Sequence, residues 1–536
     1  MEAETETRRP PRVDSGRPAR VLRNTAIFSV ATGLSRVAGL FREIVAARYF
    51  GTGAQAAAFT LAFQIPNLIR ALVADAALTS AFVPEFTRLM EEGRRNEARE
   101  LAGALFGLIV VGLGAVTVLF MAIAPWLIPL FTDKFTHSQD LLAVGLTQVM
   151  FPIVVLLALT GLVVGILNAH DHFSIPAIAP LVWNVVIIAG LVGLRGLFAP
   201  GQEIYAYAIG VLLGTAVQFA MVLPPLRRIG VSLRPRLDWR NPRVRRVLVL
   251  MLPVTLVLGV INLDLIINST LGFRFDAWAP RAIDAAFRIY MLPQGICSVA
   301  VATVLFPTLA RLAARRDLPG LRRWSGDGMR LILLLLIPCA AALIVLSTPV
   351  TRLVFQRGAF DAQSTDATAL ALFWFAFSLP FSGANLLLTR TFFSLQQPWR
   401  PTKLAVASLV VNAIVSLALY RPLGIAGIVI GTAVSNAVMT AQQIYYLRRE
   451  LQGFEIVRTA TALAKMLAAA VGFGLAAYAG WWLLDQALGR SLVAQVVSVG
   501  SGLAAGSLVY GGVVLLARVP EAEQLARRLT RRQAAT

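Results

Sequence analysis

The sequence predicts an all-α polytopic membrane protein with about fourteen transmembrane helices, and three observations lead to this fold class. Of its 536 residues, 57% are hydrophobic and only 14% are charged, and its mean hydropathy is +0.71, which water-soluble domains of ordinary composition do not reach. Apolar runs of roughly 20 residues, the length of a bilayer span, recur along almost the whole chain. Arginines concentrate in alternate connections between these runs. Lipid is therefore the predicted solvent for most of the chain.

Individual spans are predicted from the apolar runs and from the Gly, Pro and charge clusters that separate them. They lie near residues 24–48, 56–84, 101–131, 141–168, 175–197, 204–225, 247–272, 280–312, 328–355, 366–395, 402–420, 424–447, 460–485 and 491–516. The polar segment that precedes the first span lacks the short apolar core of a signal peptide. We interpret it as a disordered cytoplasmic tail over residues 1–22.

The distribution of arginine predicts the orientation, because cytoplasmic loops carry an excess of Lys and Arg. The connections after the second, sixth, eighth, tenth and twelfth predicted spans are rich in these residues, whereas the fourth, at 168–173, is nearly neutral. Both termini are therefore predicted to be cytoplasmic. This topology explains the net charge of +21 better than nucleic-acid binding does, because the arginines lie in loops rather than on one helical face.

An internal repeat relates residues 25–228 to residues 250–449. Four matches keep their order, namely 64–67 with 291–294, 83–89 with 306–312, 181–184 with 410–412, and 210–217 with 427–434. Each copy holds six predicted spans, an even number, so both copies enter the membrane with the same orientation. Such parallel repeats build transporters with a substrate site between the halves. The predicted segments are an N-lobe at 23–229, a C-lobe at 230–450, two further helices at 451–517 and a basic cytoplasmic tail at 518–536.

Charged side chains within the predicted spans are candidates for function, because each costs roughly 2.5 to 3.5 kcal/mol to insert at membrane depth. Arg36, Arg70 and Arg288 lie deepest, and Asp75 and Asp284 are the possible partners of the last two. Arginines that converge without matching carboxylates attract an anion, and the guanidinium group suits phosphate oxygens. A purely structural ion pair is the alternative.

Proline and glycine lie close to these arginines in repeat-related helices. Pro66 precedes Arg70, while Pro293 and Gly295 follow Arg288. Both helices can therefore bend at equivalent positions, which makes these residues candidates for gating hinges.

Catalytic chemistry finds little support in the sequence. The histidines lie in predicted loops, and Cys297 and Cys339 lie in apolar runs, where free thiols are expected. The chain has no Gly-rich phosphate loop, zinc-binding His pair or Cys cluster, so neither a cofactor nor ATP-driven transport is predicted.

Three stretches of sequence resemble the MurJ (MviN) lipid II flippase family of the multidrug/oligosaccharidyl-lipid/polysaccharide (MOP) exporter superfamily. The first is Ser35-Arg36-Val-Ala-Gly-Leu-Phe-Arg42-Glu43, continuing to Gly51. The second runs from Ala58 through Ile65-Pro66-Asn67-Leu-Ile-Arg70 to Pro84, and the third combines Arg288-Ile-Tyr-Met-Leu-Pro293-Gln-Gly295 with Ala302–Pro307. The resemblance covers about residues 25–515.

The resemblance implies two six-helix lobes around a central cationic cavity, and two C-terminal helices that help to form a groove for a lipid tail. It implies that lipid II, an undecaprenyl-diphosphate-linked muropeptide, moves from the inner to the outer leaflet of the bacterial cytoplasmic membrane by alternating access. Arg36, Arg42, Arg70 and Arg288 match the cavity arginines of the family and are expected to grip the diphosphate. Supporting roles are expected for Ser35, Glu43 and Asn67. Cell-wall synthesis proteins are candidate partners.

Some members of the family bind sodium through two acids, an Asn and a Thr. Here the acid positions hold Asn268 and Ser416, while Asn412 and Thr432 are retained. A cation site would therefore be weakened, although Asp264 lies one turn before Asn268 and could compensate.

Two other functions remain open at this point. A related exporter could carry cationic drugs or another undecaprenyl-diphosphate-linked oligosaccharide, although buried arginines would repel a cationic drug in a low-dielectric cavity. A non-transport protein of cell-wall assembly, such as an enzyme or a scaffold, is the second alternative. An enzyme would need a catalytic cluster of acids or histidines, and a scaffold would not require buried arginines.

Overall fold

The computed structural model describes residues 17–524 and 527, except 74–75, 133–134, 171, 173, 232 and 234. Within these ranges it describes side chains outside 17–30, 32, 70–81, 253–254, 256–258 and 260–262. Helices joined by short turns make up this part of the chain, and it contains no strand. An all-helical backbone satisfies its own polar groups, as a lipid environment requires, and the predicted fold class is confirmed.

The first helical group comprises nine α-helices, α1 to α9, among the described residues. Their bounds are Arg17–Phe50, Ala54–Val73, Ala76–Glu91, Arg95–Leu108, Gly114–Leu127, His137–Met150, Ile153–Ala169, Ser174–Leu194 and Tyr205–Arg228. A π-helical turn, Ile109–Leu113, joins α4 to α5.

The second helical group comprises α10 to α17, and a terminal pair, α18 and α19, follows it. The bounds are Pro242–Phe275, Ala279–Pro293, Val299–Ala314, Leu318–Val345, Ser347–Phe355, Ala362–Ser394, Trp399–Leu423, Ile425–Glu450, Ile456–Leu488 and Leu492–Leu516. A π-helical turn, Gln294–Ser298, joins α11 to α12. The predicted ninth span is divided at Leu346, where Pro349 in the first turn of α14 cannot donate the backbone hydrogen bond that would continue α13.

Eleven helical segments of the described chain are long and apolar enough to cross a membrane. They correspond to the predicted third to sixth and eighth to fourteenth spans. Helices α1, α2 with α3, and α10 occupy the other predicted positions without being among the eleven. In α1 the charges of Arg36, Arg42 and Glu43 lower the hydropathy of the apolar run. The count of fourteen therefore stays a prediction.

The packing order of the helices repeats between the two groups. Helix α1 packs on α8 and α8 on α9, while α10 packs on α16 and α16 on α17. Two of the four sequence matches, 181–184 with 410–412 and 210–217 with 427–434, lie in these helices, so the packing agrees with the predicted parallel repeat. Helix α10 also packs against α2 and α3 of the first group, which places it at the boundary between the groups.

A buried arginine docks the terminal pair on the second group. The side chain of Arg330 in α13 is 1% exposed and its Nη1 lies 2.9 Å from Glu455 Oε2, just before α18. Its Nε lies 2.5 Å from Glu521 Oε1, beyond α19, and its Nη2 pairs with Asp327. Part of the segment predicted as a basic tail, 518–536, is therefore packed against the protein, because Glu521 is 6% exposed.

Candidate functional site

Helices α1 and α11 bring charged side chains from both helical groups together. This charge cluster consists of Arg42 and Glu43 from α1 and of Arg281, Asp284 and Arg288 from α11. Three arginines face two carboxylates, so the cluster carries an excess of one positive charge. The predicted pairing of Arg288 with Asp284 is confirmed by a distance of 3.3 Å between Nη2 and Oδ1.

Glu43 is the centre of the cluster and accepts contacts from three arginines. Its side chain is 5% exposed. Arg42 Nη2 lies 2.7 Å from Oε1, Arg281 Nη1 lies 3.2 Å from Oε2, and Arg288 Nη2 lies 4.0 Å from Oε1. A buried carboxylate without such partners would be strongly disfavoured, so Glu43 and its arginines depend on one another.

Arg42 is held from two sides and keeps an unused donor. One Nη group pairs with Glu43, and the guanidinium carbon lies 5.0 Å from the centre of the Trp183 ring in α8. The Trp183 Nε1 donates to Thr215 Oγ1 at 3.0 Å, which fixes the ring. Arg42 Nε is buried and has no hydrogen-bond partner among the residues that the structure describes.

Arg281 was missed by the sequence argument. It lies at the start of the predicted eighth span, where a basic residue is expected to reach out to the interface. Its side chain is instead 6% exposed, and Nη1 contacts both Glu43, at 3.2 Å, and Asp284, at 3.1 Å. Seven residues separate it from Arg288, which is two helical turns and places both on one face of α11. That spacing is the signal that could have found it.

Arg36 and Arg288 are the more accessible arginines of the site. Arg36 is exposed, and the side chain of Arg288 is 33% exposed. The Arg36 guanidinium packs against Gly295 in the π-helical turn, since a Cβ on Gly295 would lie 2.6 Å from Arg36 Nη1. The structure therefore brings Arg36 of the first group against the helix that carries Arg288.

We expect Gly295→Ala to displace the Arg36 guanidinium and to lower transport roughly tenfold or more, because small displacements of a binding group are costly. The clash involves the end of a flexible side chain, so the melting temperature should stay near that of the wild type. Transport and melting temperature would be measured on the same preparation. Gly193→Ala is the matched control, because a Cβ there meets nothing within 4 Å. Unchanged transport in Gly295→Ala would contradict the placement of Arg36.

The other predicted site residues lie nearby or outside the described side chains. The carbonyl oxygen of Ser35 accepts from Asn184 Nδ2 at 3.4 Å, which ties α1 to α8. Asn67 lies in α2 and is half-buried. The Arg70 side chain and residue Asp75 lie outside the described part of the structure. The role of Arg70 therefore stays a prediction.

The predicted hinge residues differ in their surroundings. Pro66 lies inside α2, which remains helical from Ala54 to Val73. Pro293 ends α11, and Gly295 lies in the π-helical turn that follows. A π-turn leaves part of the regular hydrogen-bond ladder unmade and is frequent at functional sites. The irregularity supports a hinge at Gly295 more than one at Pro66.

The four residues of the predicted cation site meet between α10, α16 and α17. Asn268 Nδ2 donates to Thr432 Oγ1 at 2.9 Å, and Asn412 Nδ2 donates to Asn268 Oδ1 at 3.1 Å and to Asp264. Ser416 Oγ donates to Asn412 Oδ1 at 3.0 Å. The side-chain oxygens of Asn268, Asn412 and Thr432 accept hydrogen bonds from within the cluster. These bonds make the cluster a contact between three helices, and the weakened cation site stays a prediction.

We expect Asn412→Ala to lower the free energy of unfolding by about 1 to 3 kcal/mol, because it leaves buried polar groups without partners. Asn412 is fully buried. The melting temperature of the purified protein should fall equally in sodium and in potassium chloride. Thr461→Ala, at an exposed site in α18, should have little effect. A loss of stability seen only in sodium would contradict the helix-contact role.

A closed seam joins α1 to the second group beyond Glu43. Ala359 N donates to Arg48 O at 2.8 Å, and the hydroxyls of Thr52 and Ser364 are 2.8 Å apart. Gly51 has a φ of +56°, and a Cβ there would lie 2.3 Å from Ala359 O. Only glycine allows this approach. The two groups are therefore in direct contact at this end of α1.

Comparison with known proteins decides the family. The family model described as lipid II flippase MurJ matches residues 46–497. The chain belongs to the MurJ lipid II flippase family. A Burkholderia cenocepacia protein named lipid II flippase MurJ is 34% identical over 427 residues, which is 78% of this chain and 82% of that protein.

Solved structures share the fold of this MurJ-family chain. A structure described as lipid II flippase MurJ in an inward closed conformation gives a TM-score of 0.77 at 22% identity, covering 91% of this chain and 99% of that chain. An inward-facing multidrug resistance MATE family transporter of the MOP superfamily gives 0.66 at 14% identity, covering 80% and 94%. The family match starts three residues after Glu43. Arg42 and Glu43 are therefore assigned to the site by their contacts in the structure and not by the family match.

Proposed function

We propose that this MurJ-family chain is a flippase that moves lipid II from the inner to the outer leaflet of the bacterial cytoplasmic membrane for cell-wall synthesis. The observation that carries this proposal is the charge cluster, which has an excess of arginine and lies where the two helical groups meet. An uncompensated positive charge at membrane depth is costly. It is explained by a site that binds an anion, and the diphosphate is the anionic group that links the two parts of lipid II.

The available donors suit a diphosphate. Arg36 and Arg288 are accessible, and Arg42 keeps an unpaired Nε donor. Guanidinium groups bind phosphate oxygens through paired, charge-assisted hydrogen bonds. Arg70 is proposed to complete the set, with Glu43 orienting Arg42 and with Asn67 and Ser35 in support.

Alternating access follows if the helical groups act as the lobes 23–229 and 230–450. The seam between Gly51 and Ala359 closes one end of the boundary. By the positive-inside rule, this end faces the outside and both termini face the cytoplasm. We propose that lipid II enters from the cytoplasmic side. The helices then bend near Pro66, Pro293 and Gly295, which opens the seam. The terminal pair at 451–517 guides the lipid tail. The transport is of the secondary type, without a catalytic step.

Growth complementation tests the proposal. The wild-type chain should restore growth of a bacterium depleted of its own lipid II flippase. Arg36→Ala, Arg42→Ala, Arg70→Ala and Arg288→Ala should each fail at equal membrane abundance, because each removes a phosphate donor. Arg95→Ala, at an exposed position, is the matched control and should support growth. Rescue by all four variants would contradict the assigned site, and failure of a well-expressed wild type would contradict lipid II as the substrate and favour another undecaprenyl-diphosphate-linked sugar.

A further inference from the structure

Arg281 occupies a position in the charge cluster that differs from those of the other arginines. Its side chain is 6% exposed, and one nitrogen, Nη1, contacts both carboxylates, Glu43 at 3.2 Å and Asp284 at 3.1 Å. Its Nε is buried and has no hydrogen-bond partner among the residues that the structure describes. Because one guanidinium group contacts both carboxylates, Arg281 acts on the charge of the whole cluster.

The charges of the cluster show what those neighbours would do without it. With Arg281 present, three guanidinium groups face two carboxylates. Without it, Arg42 and Arg288 would be the remaining partners of Glu43 and Asp284, and the net charge of the cluster would be zero. Arg42 already contacts Glu43 and Arg288 already contacts Asp284, so without Arg281 these two pairs would cancel and no excess positive charge would remain to attract an anion.

We propose that Arg281 is a positioning residue for anion binding: it offsets part of the negative charge of Glu43 and Asp284, so that Arg42 and Arg288, although in contact with these carboxylates, keep an excess of positive charge towards a diphosphate headgroup. This role rests on the proposed function, because it presumes that the cluster binds the diphosphate. It also explains why a costly third arginine lies buried beside the two carboxylates.

Binding of two lipids that differ only in the headgroup tests this role. The dissociation constants of undecaprenyl diphosphate and of undecaprenol, which has no phosphate, would be measured on the purified full-length protein. Arg281→Gln should weaken binding of the diphosphate lipid by about tenfold, the effect expected when one nearby positive charge is lost. Binding of undecaprenol should stay unchanged, since no charge of the headgroup is involved.

A second substitution separates this role from simple structural support. In the double variant Glu43→Gln with Arg281→Gln, two arginines again face one carboxylate, so the excess of one positive charge returns. The double variant should bind the diphosphate lipid more tightly than Arg281→Gln alone. A structural loss would instead make the double variant equal or worse, and that result would overturn the proposal.

A conservative variant guards against misfolding as the cause. Arg281→Lys keeps the charge and should bind the diphosphate lipid within about threefold of the wild type, since the Coulomb energy depends on charge and distance. A loss in Arg281→Lys as large as in Arg281→Gln would overturn the charge argument.

If the wild type itself binds the two lipids equally, the proposed anion site fails and the role of Arg281 fails with it. If the wild type discriminates and Arg281→Gln discriminates equally well, only the role of Arg281 fails.

Discussion

Replacing Glu43 by Ala should abolish growth complementation and lower the free energy of unfolding by about 3 to 5 kcal/mol, the cost of removing one partner of a buried ion pair. Glu43 is the shared carboxylate of Arg42 and Arg281, and both of these arginines are about 95% buried. Its removal leaves one arginine of the first helical group and one of the second without their common partner. Glu43→Ala should therefore lower the stability of the protein and weaken the contact between the two helical groups.

The melting temperature of purified Glu43→Ala and its support of growth would be measured together. Glu92→Ala is the matched control, because Glu92 pairs with Arg88 and Arg94 at an exposed site, with 42% of its side chain exposed. An exposed pair contributes only about 0 to 1 kcal/mol, so the control should behave as the wild type. A Glu43→Ala protein with wild-type stability and growth would show that the carboxylate does not organise the cluster.

Replacing Arg330 by Ala should destabilise the protein by a similar amount, about 3 to 5 kcal/mol, and release the terminal pair. Arg330 is the buried partner of Asp327, Glu455 and Glu521. Without it, like charges from α13, from the start of α18 and from the segment beyond α19 would face one another. We expect a lower melting temperature and faster proteolysis near residues 451–455, where the chain enters α18.

Arg323→Ala provides the comparison for Arg330. Arg323 approaches the same Asp327 at 3.9 Å but is 71% exposed, so its loss should cost at most about 1 kcal/mol. Equal melting temperatures and equal cleavage patterns for the two variants would mean that burial of Arg330 does not matter for docking of the terminal pair.

The deep arginines could be predicted from the sequence because the cost of a charge in lipid depends only on its position in an apolar run. Arg42 and Arg288 both approach Glu43, and Asp284 pairs with Arg288 one helical turn away. Arg36 packs against Gly295 in the turn that follows α11. Such local pairs follow from helix geometry alone. The resemblance added the expected ligand, which charge alone does not identify.

Partners distant in sequence could not be predicted in the same way. Arg352 in α14 pairs with a residue far away in the sequence, because its Nη2 lies 3.2 Å from Asp485 Oδ1 in α18. Arg281 was missed because its position near the start of a predicted span favours an interfacial residue. In both cases the deciding contact comes from a helix whose placement depends on tertiary packing, which the sequence pattern does not encode.

The central claim is tested most directly by lipid II translocation in liposomes that contain only the purified protein. A fluorescent lipid II is placed in both leaflets, and a membrane-impermeant reductant removes the signal that reaches the outer one. The account predicts that the wild type exposes the inner pool faster than protein-free liposomes do, and that Arg288→Ala, reconstituted at equal amount, does not. A rate for the folded wild type equal to that of protein-free liposomes, or an equal rate for Arg288→Ala and the wild type, would contradict it.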